Sequence, residues 1–170
     1  MNTTLYTTID SPIGGLLLAG DGRSLHHLAF RSGRRPTQVS PSWERRDHAF
    51  DGVVAQLGEY FDGRRRTFDV PLELAGNAFE QRVWDALREI PYGETVSYGQ
   101  IAATIGQPGA ARAVGLANGR NPVAVIVPCH RVIGADGTLT GYGGGLERKQ
   151  FLLDLEAGVL PLPAVAPSAA

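Results

Sequence analysis

The apolar and polar positions fall into two stretches with different periods. Leu5 to Ile9 is rich in β-branched and aromatic residues and predicts a strand, and Ser11-Pro12-Ile13-Gly14-Gly15 predicts a turn. Leu16 to Ala19 predicts a second strand, Asp21-Gly22 a tight turn, and Leu25 to Phe30 a third strand. The polar run Ser32 to Pro41, with two prolines, predicts an exposed loop. Phe50, Val53, Val54, Leu57 and Phe61 then recur at helical spacing, ending near Gly63. Phe68, Val70, Leu72 and Leu74 alternate and predict a further strand.

A boundary is expected at Ala75-Gly76. Beyond it the period is helical. Asn77-Ala78-Phe79-Glu80 has the form of a capping box, and Phe79, Val83, Trp84, Leu87 and Ile90 share one helix face, stopped by Pro91-Tyr92-Gly93. Ser97-Tyr98-Gly99-Gln100 repeats the capping pattern and opens a helix through Ile105. After the turn Gly106 to Gly109, a third helix runs from Ala110 to about Asn118. Two short helices joined by a glycine-containing turn predict a helix-turn-helix. The third helix is built of small residues, which permits close approach either to DNA or to a neighbouring helix. The apolar run Pro122 to Val127 leads as a strand into Cys129. Val132-Ile133 and Leu139-Thr140 flank Ala135-Asp136-Gly137, predicting a hairpin wing. A glycine loop, 141–145, precedes a last helix, Leu146 to Glu156, with Leu146, Phe151, Leu152, Leu153 and Leu155 as its apolar positions.

The fold class is therefore α+β, with a small N-terminal sheet-plus-helix domain (1–75), a helix-turn-helix domain (76–158) and a flexible Pro/Ala tail (159–170). A length of 170 residues suits two small domains. No apolar run approaches a membrane span and no secretory signal is visible, so a cytoplasmic location is expected. The formal net charge of −1 excludes whole-chain electrostatic binding of nucleic acid. Arginines nevertheless cluster at Arg31, Arg34 and Arg35, at Arg45 and Arg46, and at Arg64, Arg65 and Arg66, and a local basic face is enough for DNA.

The chain has one cysteine, Cys129, followed at once by His130. A single cysteine excludes an internal disulfide and any multi-cysteine metal centre. A thiolate is the nucleophilic form, so a base beside the thiol points to nucleophilic chemistry. In an extended segment adjacent side chains diverge, so a bridging water would carry the proton from Cys129 to His130. Glu156 is the candidate carboxylate to orient the histidine. A structural thiol, an exposed histidine and a solvated glutamate account for the same residues without chemistry.

Longer blocks decide between these readings. Asn121-Pro122-Val123 and Ile126-Val127-Pro128-Cys129-His130-Arg131-Val132-Ile133 resemble the active-site signature of the O6-alkylguanine-DNA alkyltransferases. Phe79 to Trp84, Ile90 to Thr95, Ser97 to Ala102, Ala111 to Gly115 and Gly141 to Leu146 resemble further blocks of that family, in the same order. The resemblance is nearly complete from Phe79 to Gly158. It is looser before residue 75, where the Ser11-Pro12-Ile13-Gly14 turn and Tyr60-Phe61 carry it.

The resemblance implies a ribonuclease H-like first domain and a winged-helix-like second domain. It implies transfer of the alkyl group from O6-alkylguanine, and O4-alkylthymine, in double-stranded DNA to Cys129, once per chain, by a monomer without cofactor. Cys129, His130, Glu156, Asn121 and Tyr98 would be catalytic. Arg112, Ala113, Gly115, Thr95 and Ser97 would meet the DNA at its minor groove, with Arg112 filling the place of a flipped base. Tyr142, Gly143, Gly144 and Val132 would line the alkyl pocket. Gly143 stands where some relatives have serine, and the zinc site that some relatives build from first-domain cysteines is expected to be absent. The competing readings are a non-catalytic damage-binding module, a helix-turn-helix regulator and a cysteine hydrolase. Cys129 opposes the first, and a third helix offering mainly Arg112 to read bases opposes the second.

Overall fold

A computed structural model describes residues 3–33 and 36–159. Arg34 and Arg35 of the first basic cluster, and the expected tail except Val159, lie outside the described residues.

The first three strands form where the pattern predicts them. β1 (Leu5–Ile9), β2 (Leu16–Gly20) and β3 (Leu25–Phe30) make an antiparallel meander. A two-residue β4 (Glu44–Arg45) joins β1 in parallel, giving the order β3-β2-β1-β4. Every residue of central β2 is buried, which is why it reads as an unbroken apolar run. Helix α1 (Asp51–Phe61) sets Leu57 and Tyr60 into the core.

In the second half, α2 (Ala78–Arg88) and α3 (Tyr98–Thr104) begin at the two predicted capping boxes. Asn77 Oδ1 accepts from Glu80 N at 2.8 Å and Ser97 Oγ from Gln100 N at 3.1 Å. Helix α4 (Ala111–Gly119) follows the turn at Gly106, whose φ of +79° suits glycine. Buried Trp84 donates its indole N–H to Ala117 O at 2.9 Å and so ties α2 to α4. A short β5 (Val96–Ser97) and β6 (Val132–Ile133) pair in parallel, and α5 (Leu146–Glu156) closes the fold.

Four segments depart from the predicted pattern. Residues 68–74 form no strand: the segment touches the sheet through Leu25 N to Pro71 O, 2.8 Å, and Glu73 N to Leu25 O, 3.1 Å, a single bridge on the β3 edge. The wing hairpin is only its turn, closed by Gly134 N to Thr138 O at 2.9 Å. Val132 and Ile133 pair with β5 instead, and Leu139-Thr140 is not a strand. The run into Cys129 is a series of turns rather than a strand. Finally, α5 buries Arg148, Lys149 and Glu156 beside Phe151 and Leu152, while Leu146 is 47% exposed.

Apolar residues of both halves share one core, with Ile13, Leu16 and Leu28 in the same cluster as Trp84, Val127 and Leu152. Each such side chain contributes roughly 1.5–3 kcal/mol when fully buried. The two halves also share backbone bonds. Leu28 N donates to Pro122 O and Ala124 N to Leu28 O, both at 2.9 Å, so the segment before Cys129 is anchored on β3. Among the described residues no helix is long and apolar enough to cross a membrane.

Candidate functional site

The chain approaches Cys129 through two tight turns, the first of them strained. Val125 has φ +71°, a region costly for a β-branched residue. It centres a three-residue turn closed by Ile126 N to Ala124 O at 2.8 Å. Pro128, at φ −82° and ψ 63°, centres a second such turn, closed by Cys129 N to Val127 O at 2.8 Å. Asn121 holds both in place: its amide donates to Val127 O at 2.8 Å, and its Oδ1 accepts from Val123 N at 3.0 Å. Residues Cys129–Arg131 then form one 3₁₀ turn. This is the local reason a lone thiol is presented at a fixed point rather than along a strand.

Cys129 is 6% exposed and lines a cavity of about 130 Å³. Tyr142, Gly143, Gly144 and Asn121 line it too; Val132 does not. Val132 is wholly in the core, because its segment pairs with β5. Tyr142 and Asn118 each keep one buried polar atom, the hydroxyl and Oδ1, without a partner among the described residues.

Behind the thiol lies a buried charge network. His130 Nε2 is 2.7 Å from Glu156 Oε2. The carboxylate also accepts from Arg131 Nε at 2.7 Å, Arg131 Nη2 at 3.0 Å and Tyr60 Oη at 2.5 Å. Burial acts to raise the Glu156 pKa, but the bonds from His130 and Arg131 outweigh it and hold the carboxyl at about 2. Glu156 is thus ionised at neutral pH, so the His130 Nε2 bears the shared proton and Nδ1 is the basic nitrogen. That Nδ1 is buried and has no partner among the described residues. Burial drives the His130 pKa below its ordinary value against the pull of Glu156, leaving the ring neutral.

Burial pushes the Cys129 thiol up; the Asn121 amide and the Lys149 charge pull it down. Lys149 is fully buried and donates to Val132 O at 2.6 Å and Thr140 O at 2.9 Å. A buried cation that favours the thiolate is a functional group the sequence did not reveal. Lys149→Met removes that charge, and the Cys129 titration, followed by thiolate ultraviolet absorbance, is expected to move to higher pH. An unmoved midpoint in a folded variant would dismiss the electrostatic role.

The remaining predicted residues occupy the helix-turn-helix. Tyr98 opens α3; its hydroxyl accepts from Thr140 Oγ1 at 2.8 Å, and its ring lies beside Gly115, where a Cβ would sit 3.8 Å away. Thr95, Arg112 and Ala113 are exposed, and Gly115 is half-buried. The Ser97 oxygen is engaged as the α3 cap, leaving its hydroxyl proton to donate. Leu116, one turn after Arg112, is 62% exposed, an apolar group on the same face that the sequence reading passed over. Tyr60, Arg131 and Asn118 were likewise missed as site residues: Arg131 and Tyr60 stand in the resembling blocks, but the partner of each side chain lies 11 to 96 residues away, so no local pattern gives it a role. For metal, the described residues offer one group, Asp21, His26 and Glu73, with His26 Nε2 at 3.6 and 3.4 Å from the two carboxylates, in the first domain.

Comparison with known proteins agrees with this architecture. The family model for the DNA-binding domain of 6-O-methylguanine DNA methyltransferase matches residues 78–158, and that for its ribonuclease-like domain matches residues 4–74. A Mycobacterium tuberculosis protein named methylated-DNA–protein-cysteine methyltransferase is 59% identical over 157 residues, covering 92% of this chain and 94% of its own. A Methanosarcina acetivorans protein of the same name is 54% identical, covering 89% of this chain and 97% of its own. The crystal structure of Mycobacterium tuberculosis OGT in complex with DNA shares the fold with a TM-score of 0.85 at 59% identity, covering 92% of this chain and 95% of that one. With the two family models spanning nearly all the described residues, the chain belongs to the 6-O-methylguanine DNA methyltransferase family.

Proposed function

We propose that this protein repairs DNA by moving the alkyl group of O6-alkylguanine, and of O4-alkylthymine, irreversibly onto Cys129. The observation that carries this reading is the lone thiol in a small cavity, backed by His130 and an ionised Glu156 at 2.7 Å. The thiol proton passes through a bridging water to His130 Nδ1. The sulfur attacks the alkyl carbon, a C–S bond forms, and the C–O bond breaks with its electron pair going to the guanine. Tyr98 supplies a hydrogen bond or proton to that developing charge. The product thioether has no good leaving group, so each chain acts once.

The target atom lies inside the duplex stack, so the base must be flipped into the cavity. Arg112 takes the vacated place. The strip of exposed Ala113 and Leu116 and half-buried Gly115 on α4, with Thr95 and Ser97 beside it, follows the minor groove, where small and apolar groups approach closely. The DNA-bound structure of the Mycobacterium tuberculosis relative supports DNA as the partner. The chain divides at Ala75–Gly76 into a first domain that braces the site and a second that binds DNA and carries the chemistry. It works as a cytoplasmic monomer.

The test is stoichiometry. With excess duplex carrying O6-methylguanine, peptide mass spectrometry is expected to find one methyl group on the Cys129 peptide and one guanine restored per chain. Unmodified Cys129 would sink the assignment, and more than one guanine restored per chain would point to a hydrolase.

A further inference from the structure

We infer that Phe30, a residue of the first domain, sets the largest alkyl group the Cys129 cavity accepts. The inference rests on the alkyl-transfer reading above and deepens it. Phe30 closes β3, is 8% exposed, and lines the same cavity as Cys129.

Three contacts pin its ring. Tyr142 meets it edge-on, with centroids 5.8 Å apart and planes at 64°. The Arg148 guanidinium lies 4.7 Å from its centroid. That guanidinium is itself fixed by carbonyls on both sides of the domain junction, at Ile13 (2.6 Å), Ser32 (2.9 Å) and Gly144 (3.0 Å). The backbone of Gly144 presses on the same ring: a Cβ there would fall 2.6 Å from Phe30 Cε2. A ring held by an aromatic edge, a buried cation and a backbone does not swing aside cheaply, because a packed interior has no spare volume to receive it.

The cavity it bounds measures about 130 Å³, well under the roughly 300–1,000 Å³ of pockets that take drug-sized ligands. At that size the wall decides which substituent fits beside a base. The glycine side of the wall yields nothing to trim: a Cβ at Gly141 or Gly143 would meet no atom within 4 Å. Tyr142 lines the cavity with Cys129, but it ends in a polar hydroxyl. Leu28 and Phe30 are the large wall residues with only bulk to offer, and Phe30, at the end of β3, is the one set against Tyr142 and the glycine loop.

The experiment measures second-order transfer rates for the full chain, F30L and F30A on one duplex sequence bearing O6-methylguanine or O6-benzylguanine. The benzyl-to-methyl ratio is expected to rise in F30L, and to rise by about tenfold or more in F30A, the scale of removing bulk from an apolar pocket. A ratio unchanged in folded variants that still methylate Cys129 overturns the assignment to Phe30 alone. Should F30A fail to fold, F30L must still raise the ratio, and wild-type rates must fall along a series from methyl to butyl; a flat series overturns the inference. If wild type transfers no methyl at all, the alkyl-transfer reading fails, and this inference with it.

Discussion

Cys129→Ser is expected to stop alkyl transfer while leaving the fold and DNA binding in place. The change replaces sulfur by oxygen at a site that is 6% exposed, so packing around the tight turns is nearly conserved. The turn geometry does not depend on the sulfur: it is held by Asn121, by Cys129 N to Val127 O at 2.8 Å and by Asn118 to Cys129 O at 3.4 Å. Chemistry does depend on it. A thiol has an ordinary pKa of about 8.5, within reach of a neutral imidazole, whereas a serine hydroxyl is far more basic. His130, already driven below its ordinary pKa by burial, is too weak a base to ionise it. The rate is expected to fall by about 10⁴-fold or more, the scale on which loss of a nucleophile acts. Peptide mass spectrometry after incubation with O6-methylguanine duplex, beside a gel-shift titration of the same DNA, separates the two effects. A methyl group found on the introduced serine, or on any other residue of the variant, would remove Cys129 as the acceptor.

How much of this arrangement the residues announce depends on range. Asn77 and Ser97 announce their helices because a cap and its partner lie three residues apart. The Asn121 brace is legible for the same reason: its two bonds span two and six residues. Segment 68–74 alternates as a strand should, yet forms one bridge, because the β3 edge it meets is shared with residues 122–124, a long-range arrangement that local pattern does not encode. Helix α5 misleads most. Its leucines suggest an ordinary amphipathic face, but Arg148 and Lys149 are buried because carbonyls from Ile13, Ser32, Gly144, Val132 and Thr140 converge on them. Those acceptors arrive from up to 135 residues away, so periodicity has no access to them. The family resemblance names His130 and Glu156 as a pair; it does not show that Arg131 and Tyr60 share the same carboxylate.

That shared carboxylate makes Glu156→Gln the substitution with the largest expected effect on stability. Glutamine keeps the shape but offers one carbonyl oxygen and an NH₂ group where the carboxylate accepts from His130, Arg131 and Tyr60. Whichever way the amide turns, a donor faces a donor. Arg131, 7% exposed, also loses its counter-charge. Leaving one partner of a buried pair uncompensated costs about 3–5 kcal/mol. For a chain of this size that is a fall in Tm of roughly 10 °C. The pH dependence identifies the cause. The folded pKa of Glu156 is depressed to about 2 from an ordinary 4.5, so its contribution is fully present above about pH 4.5 and is lost as pH falls through 2. It amounts to about 3 kcal/mol at neutral pH, and more than half of it is gone by about pH 3. His130, buried and neutral, is also depressed, so its contribution is likewise lost on acidification, but from below its ordinary 6.5. Glu156 itself pulls the His130 pKa up, so the comparison is made in a His130→Asn background, where Arg131 still depresses the carboxyl and no histidine titrates beside it. Thermal unfolding of that background with and without Glu156→Gln, from pH 7 to pH 3, is expected to bring the two Tm curves together, with the glutamate-bearing protein doing most of the falling. Curves that stay parallel over that range would mean that Glu156 holds the site by shape rather than by charge.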